Sequence, residues 1–515
     1  MRDALKFWCG AVLAAALLLP ACYGADPVTV SPQTMRRIGS VDERFQSFNI
    51  EMVEVTGGRF WAPYKMTETG HPAGSPPAIP GLDPAAFRYR PPVDLANPKL
   101  RKLAAALGPA YVRVSGTWAN STYFQDSDQP ALSAPPTGFG GVLTRQQWRG
   151  VIDFAKATDT RIVTSYAVSE GTRNASGAWT PVEAQKLIEF TKSAGGRLAA
   201  VEFFNEPSFA SLGGLPKGYD AAAYGRDFKL FLPFARKNLP GTLILGPGSL
   251  GESKAIVTGI PILRSEDILK AAGPGLDVFS YHYYGGASKR CNGTQTAGMA
   301  LLDEWLSGTE RDEAFYAALR DRFEPGKPMW LTETGETGCG GNPWASTFID
   351  SFRYLEQLGR LAKKGVQVVA HNTLAASDYG LLDEDTLEPR PDYWSALLWH
   401  KLMGRTVLDS GVPASSKMQV YAHCLSGHPG GVALLAANAD RQASHDLEVP
   451  VASERYQLTA ITLLNSNVDL NGVELRMGDQ VPELKGRAEP AGVVRIPPGS
   501  ITFLAIPAAG NRNCR

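Results

Sequence analysis

Between about residue 45 and residue 404 the chain repeats one pattern: a short apolar run, then a longer stretch with helical spacing. The runs are FQSFNIEM, YVRVSG, RIVTSYAVS, AVEFFNEP, TLILGPGS, VFSYHYYG, PMWLTETG and VQVVAHNTL. Between them lie amphipathic stretches such as TRQQWRGVIDFAKAT, PVEAQKLIEFTKSAGG and STFIDSFRYLEQLGRLAKKG, and DYWSALLWHKLMG closes the series. Strands that alternate with helices pair in parallel, because each crossover carries the chain back to the same end of the sheet. Eight such units close a barrel, so the expected fold class is α/β, a (β/α)8 TIM barrel over residues 45–404. An open doubly wound sheet has the same alternation, but no glycine-rich phosphate turn follows the first run.

After Gly404 the texture changes to short alternating runs such as KMQVYAHCL, GVALLAANA and YQLTAITLL. These predict a C-terminal antiparallel β-sandwich domain over residues 405–515. A chain of 515 residues exceeds what one core holds, which agrees with two domains. Residues 26–44 precede the first barrel strand and are expected to add an edge strand to the sandwich. Residues 1–25 read as an export signal, with Arg2 and Lys6 ahead of an apolar stretch from Phe7 to Leu19. Cys22, in Leu-Pro-Ala-Cys, offers an alternative lipoprotein anchor, weakened by the proline. The expected location is therefore periplasmic or secreted, with no membrane span in the mature chain.

Export favours disulfides over free thiols. With Cys9 and Cys22 set aside, Cys291, Cys339, Cys424 and Cys514 remain, and none forms the close pair of a zinc site. Cys424 and Cys514 stand near the two ends of the C-terminal domain and make a natural staple. Lys plus Arg equals Asp plus Glu at 51 each, so no bulk field steers a nucleic acid, and none is expected as a partner. Asn120-Ser-Thr, Asn174-Ala-Ser and Asn292-Gly-Thr fit the glycosylation pattern.

The chemistry sits at strand ends. Glu206 follows the fourth run and Glu333 ends the seventh, so a barrel aims both into one mouth. Two facing carboxylates divide into an ionised nucleophile and a protonated acid, the pair that a glycosidic bond requires. Glu336 competes with Glu333, but Glu333 directly follows the apolar strand while Glu336 lies in the glycine-rich TGETGCGG. Asn205 beside Glu206 can bond a sugar hydroxyl next to the reacting carbon. The seven histidines form no His-x-His or His-Glu-x-x-His, so no metal is expected; His282 reads as structural support, and His371 as either pocket lining or core. Trp118 and Trp344 follow strands and suit sugar stacking and loop packing equally. Residues 53–96, rich in Gly, Pro and aromatics, interrupt the alternation after the first strand and should lie over the mouth.

FFNEP paired with WLTETG, with SYHYYGG before the second and PDYWSALLWHKLMG after it, resembles glycoside hydrolase family 79, the heparanase and β-glucuronidase family. FNIEM, ANPKLRKLAAALGPAYVRVSGT, MQVYAHC and LNGVELRM extend the resemblance over nearly the whole mature chain. It implies a retaining β-glucuronidase that needs no cofactor, with Glu206 as acid/base, Glu333 as nucleophile and Tyr283 as the phenol that holds the nucleophile. It further implies that Glu51, Thr117 and Asn205 contact the sugar. Tyr379, with backbone N–H groups around Cys339 and Gly340, would grip the glucuronate carboxylate.

The loop departs from the family's Tyr-Gly-Gly-Gly by reading Gly338-Cys339-Gly340-Gly341, which a Cys291–Cys339 bridge would explain. A tyrosine and a few amides can hold one carboxylate, whereas a sulfated polymer favours rows of Lys and Arg that the chain lacks. The resemblance also implies a shorter loop after Glu51 in endo-acting members. The expected activity is thus exo cleavage of terminal glucuronic acid from a glycan or glucuronide by a monomer, with endo cleavage of heparan-type chains as the alternative and a catalytically inactive glycan-binding protein as a remote one.

Overall fold

A computed structural model of the protein describes residues 27–64, 83–254, 261–415 and 417–515. The expected export signal and Cys22 lie outside these residues, as does part of the insertion after Glu51. No helix among the described residues is long and apolar enough to cross a membrane.

Eight parallel strands close into a barrel: β1 (Gln46–Glu51), β2 (Ala110–Ser115), β3 (Thr160–Thr164), β4 (Leu198–Glu202), β5 (Leu243–Ser249), β6 (Val278–Tyr284), β7 (Met329–Gly335) and β8 (Val368–His371). Each coincides with one of the apolar runs. The ring closes through parallel pairing of β8 with β1. Helices flank it, and their starts are written locally. Asn97 accepts from the N–H groups of Lys99 and Leu100 at 2.9 and 3.2 Å, with Pro98 in the first turn. Thr144 and Gln147 form a reciprocal capping box. Helix Ser265–Ala272 after β5 has no counterpart among the predicted stretches; at eight residues it spans little more than two turns.

One inward side chain from each of β2 to β8, namely Tyr111, Val163, Ala200, Leu245, Val278, Trp330 and Val368, fills the lower half of the barrel. Side chains alternate along a strand, so the residues two positions further on, Arg113 and Glu202 among them, form the next layer up. The apolar plug therefore sets the floor on which the polar layer stands.

The C-terminal region is an antiparallel sheet that includes Met403–Leu408, Met418–Leu425, Val432–Asn438, Ser453–Thr459 and Ser500–Ile506. Arg37–Ser40 pairs with Met403–Leu408, and Val28–Thr29 pairs with His445–Val449 in a separate three-stranded sheet. Leu434, Leu504 and Val432 of the large sheet share one apolar cluster with Leu447, Val494 and Ile496 of the small one.

Both cysteine pairs are joined, Cys291 to Cys339 and Cys424 to Cys514. The second closes a separation of 90 residues, a long loop to constrain in the unfolded chain. Replacing Cys424 and Cys514 together by alanine should lower stability by about 2–5 kcal/mol, read as a shift of the denaturant midpoint followed by circular dichroism.

Candidate active site

Arg113 on β2 is almost wholly buried and organises the mouth. Its Nε and one terminal nitrogen donate to Glu202 Oε2 at 3.0 and 2.8 Å. The same terminal nitrogen reaches Asn205 Oδ1 at 2.8 Å, and the other donates to Glu333 Oε2 at 2.8 Å. A guanidinium out of water is tolerated only when its donors are met, and here carboxylates from β4 and β7 meet them. Tyr284 completes the hold on Glu333 by donating its hydroxyl to Oε1 at 2.9 Å. Burial, then the neighbouring Glu333, keeps this phenol protonated far above its ordinary range.

Glu333 faces the lumen because the register of β7 shifts between Leu331 and Glu333. Without that irregularity, strict alternation from inward Trp330 would turn Glu333 outwards. Glu336, its competitor in sequence, is buried and spent on its own loop, where it accepts from the Thr337 hydroxyl and from Asn342 N and Nδ2 at 2.7, 2.8 and 3.1 Å.

Glu206 lies four residues beyond β4, at φ +49° and ψ +64°. A non-glycine residue there is strained, so its neighbours must hold it. The Asn120 amide does so: Nδ2 donates to the Asn205 carbonyl and Oδ1 accepts from Asn205 N, both at 2.9 Å. This buried use also closes the Asn120 glycosylation pattern to modification of the folded chain. Burial, reinforced by Glu202 and opposed by Arg113, raises the Glu206 pKa to about 7.

His282 joins the two carboxylates. Its Nε2 is 3.4 Å from an Arg113 nitrogen that can only donate, so Nδ1 carries the hydrogen and donates to Glu206 Oε1 at 3.0 Å. Burial pulls the imidazole down to about 4, leaving it neutral at pH 7. With Oε1 accepting, the Glu206 proton resides on Oε2. One oxygen of Glu206, one of Glu333 and a His282 nitrogen all lie within 4.8 Å of one another. Those are metal-type donors, but the Arg113 cation beside Glu333 opposes a second positive charge there.

Tyr283, expected to hold the nucleophile, does not. It is one residue out of phase with His282 and Tyr284, and its hydroxyl lies against Gly308 and near Asp312 on the outer side of the barrel. The contact belongs to Tyr284, since alternate residues of a strand share a face.

Glu51 ends β1 and accepts from Asn372 Nδ2 at 3.1 Å; that amide also reaches the hydroxyls of Tyr284 and Tyr379 at 3.0 and 3.3 Å. Burial, followed by Glu333, pushes the Glu51 carboxyl well above its usual range. Gly116 is required beside it: at φ +93°, a Cβ would lie 1.5 Å from Glu51 Oε2. Thr117 follows, half-buried at the rim. His371 is a core residue that donates Nε2–H to the Tyr379 carbonyl at 2.7 Å, neutral because burial holds it near 3.

The insertion forms helix Met52–Thr56 and a hairpin of Gly58–Trp61 with Phe87–Arg90. Trp61 stacks on Phe87 at 4.6 Å and meets Trp118 edge-on at 6.4 Å. Trp118 thus packs against the hairpin, and Trp344 packs against Trp305 at 5.5 Å. Cys339, Gly340 and Gly341 follow β7 with successive φ of +63°, +83° and +80°. Among the described residues no acceptor meets their N–H groups.

Sequence reasoning passed over Arg113, Glu202, Tyr284 and Asn120. The signal was present: charged residues inside the otherwise apolar YVRVSG and AVEFF must be buried, and burial demands a partner.

The model for "Glycosyl hydrolase family 79, N-terminal domain" matches residues 92–359, just over half of the chain. The chain is 27% identical to heparanase-like protein 2 of Arabidopsis thaliana, over 84% of this chain and 78% of that one. It is also 27% identical to mouse heparanase, over 87% of this chain and 97% of the relative. Among solved structures, a 4-O-α-L-rhamnosyl-β-D-glucuronidase from Fusarium oxysporum superposes with a TM-score of 0.62 at 12% identity, covering 93% of this chain and 99% of that one, a likeness of fold.

Three substitutions test the arrangement. Tyr284→Phe should lower kcat by about 10- to 100-fold, the worth of one bond to a charged group, while Tyr283→Phe leaves kcat within about threefold; the reverse ranking would restore Tyr283. Glu206→Gln removes a buried carboxyl that in the folded chain keeps its proton to about pH 7, whereas in the unfolded chain it loses it near the ordinary 4.5. The wild type loses stability as pH rises through that window, so the Gln variant should gain on the order of 1–3 kcal/mol at pH 8 and little at pH 4, measured by thermal unfolding at both.

Proposed function

The chain belongs to glycosyl hydrolase family 79 and is a glycoside hydrolase, and from that premise we propose that it is a retaining β-D-glucuronidase acting on terminal glucuronosyl groups. The carboxylate pair carries the reading. Glu333, fixed by Arg113 and Tyr284, attacks the anomeric carbon while Glu206 gives its proton to the leaving oxygen. The glycosyl ester is then opened by water that Glu206, now ionised, deprotonates, which restores both carboxyl groups. A closest oxygen approach within 4.8 Å supports the short spacing of retaining enzymes, about 5–5.5 Å, over the wider gap of inverting ones.

Substrate contacts follow from the same reading. Glu51, Thr117 and Asn205 take sugar hydroxyls, with the Asn372 amide beside them. The N–H groups of Cys339 and Gly340 with the Tyr379 hydroxyl receive the glucuronate carboxylate, since consecutive unpartnered amides in positive-φ residues form a concave anion site. The hairpin after Glu51 supports exo action: Trp61 packs against Trp118 and Gly340, so the insertion borders the loop that takes the carboxylate in this reading. The domain division 26–44, 45–404 and 405–515, export and a monomeric state complete the proposal.

A heparanase-like endo action is the second reading, favoured by relatives of that name that align over most of the chain. An aryl β-glucuronide and a heparan oligosaccharide separate the two. Release of glucuronic acid from the first and from chain ends of the second is expected; internal fragments from the second with no turnover of the first would overturn exo action. Glu333→Gln should lower kcat on the aryl substrate by more than about 10³-fold, as loss of a covalent nucleophile does. The basic limb of kcat/KM should fall through an apparent pKa near 7, set by Glu206.

A further inference from the structure

We propose that Arg290 is the positioning residue for recognition of the sugar acid, through the loop 338–341; the inference rests on that loop being the carboxylate grip. Arg290 lies in the short turn Lys289–Cys291 after β6, and its side chain is 4% exposed. It touches no part of the catalytic pair. One terminal nitrogen donates to the carbonyls of Cys339 and Gly341 at 3.1 and 2.7 Å. The other donates to the Ala62 carbonyl and to the Asp378 carboxylate, and the cation lies 3.8 Å from the centre of the Tyr64 ring. A single guanidinium therefore ties its own β6 loop to the loops that follow β1, β7 and β8.

The loop needs that tie. Cys339, Gly340 and Gly341 all hold positive φ, and Cys339 does so with a side chain, so no regular ladder supports them. Their carbonyls are instead drawn outwards. Cys339 O receives Arg290 and the Ser288 hydroxyl, Gly340 O receives Asp378 N and the Ser377 hydroxyl, and Gly341 O receives Arg290. A peptide plane whose carbonyl is fixed has its N–H fixed on the opposite edge. Cys339 O shares its plane with the Gly340 N–H, so the Arg290 and Ser288 bonds orient that amide of the grip, while the Cys339 N–H shares the plane of Gly338 O, which accepts from Ser288 N at 3.0 Å. The Cys291–Cys339 bridge anchors the loop at one point, whereas one Arg290 nitrogen bridges two of its carbonyls and fixes the turn between them. Gly340 admits no side chain, because a Cβ would lie 2.5 Å from both Ser377 Oγ and Trp61 Cβ. Trp61 and Ala62, held by Arg290 from the hairpin side, therefore back directly onto the grip.

The measurement is the ratio of kcat/KM for an aryl β-glucuronide to that for the β-glucoside of the same aglycone. Arg290→Gln should lower this ratio by about tenfold or more, mainly through KM for the glucuronide, as a displaced amide pair does. Arg290→Lys should recover part of it, because an ammonium keeps the charge beside Asp378 but, as a single centre, cannot serve Asp378 and Ala62 on one side and the two loop carbonyls on the other. An unchanged ratio, or an equal fall for both substrates, would overturn the role. Should Arg290→Gln fail to fold by circular dichroism, Asp378→Asn loosens the same clamp and should lower the ratio by about threefold; no change there would overturn it equally. Tyr379→Phe separates the premise from the inference. A wild type that does not prefer the glucuronide removes the grip itself, whereas a ratio lowered by Tyr379→Phe and untouched by Arg290→Gln removes only Arg290.

Discussion

The mouth of the barrel depends on one buried cation. Arg113 stands in the first polar layer above the apolar plug, where water cannot solvate it, and its charge is met by Glu202 from β4 and Glu333 from β7. Removing either carboxylate would leave a charge unpaired inside the protein, a larger loss than the bond itself is worth. The same guanidinium holds Asn205, so the residue before the acid/base candidate and the nucleophile candidate share one fixed reference. Geometry at the site is therefore referred to one residue of a barrel strand, even where the residue held lies in a loop.

Two glutamates of identical chemistry are given different behaviour by what surrounds them. Glu333 receives a hydrogen bond on each oxygen, from Arg113 and Tyr284. Glu206 is met by neutral His282 and the Asn205 side chain, with no cation bonded to it, and its burial holds the proton to about pH 7. A carboxylate bonded to a cation and one met only by neutral donors, a few ångströms apart, are the division of labour that glycosidic cleavage uses. His282 contributes by its tautomer: the nitrogen facing Arg113 must accept, so the hydrogen faces Glu206 and the proton of the acid is sorted to one oxygen.

Much of this was legible in the sequence. The eight apolar runs became the eight barrel strands because period-2 strands and helical spacers are local signals. Asn-Glu-Pro and Thr-Glu-Thr marked two glutamates that the barrel does bring together, and the cysteine pairs joined as read. Tyr283 was misjudged because SYHYYGG offers adjacent tyrosines, and only the register of β6 against β7 says which one faces the lumen. The inward turn of Glu333 rests on a register shift that no pattern in PMWLTETG announces. Arg113 and Glu202 were visible as charges in apolar strands, but their partnership joins positions 89 residues apart and appears only when the barrel closes. Arg290 had no signal at all, since a cation in a loop is ordinarily solvated.

The C-terminal sheet bears on the site through one helix. Phe348–Lys364 follows β7 and is buried on nearly every face, which no helix packed only against a barrel would be. Its inner side meets β7 through Gln357, bonded to the Thr334 hydroxyl at 3.1 Å one residue after Glu333. Its outer side meets the sheet, where the Tyr421 hydroxyl donates to Glu356 Oε2 at 2.8 Å and Arg360 donates to the same oxygen at 2.9 Å. Glu356 is buried and needs both donors, so the helix is stable in this position only while the sheet covers it. The sheet thus holds the backing of the strand that carries Glu333, and a bond beside the candidate nucleophile is maintained from outside the barrel.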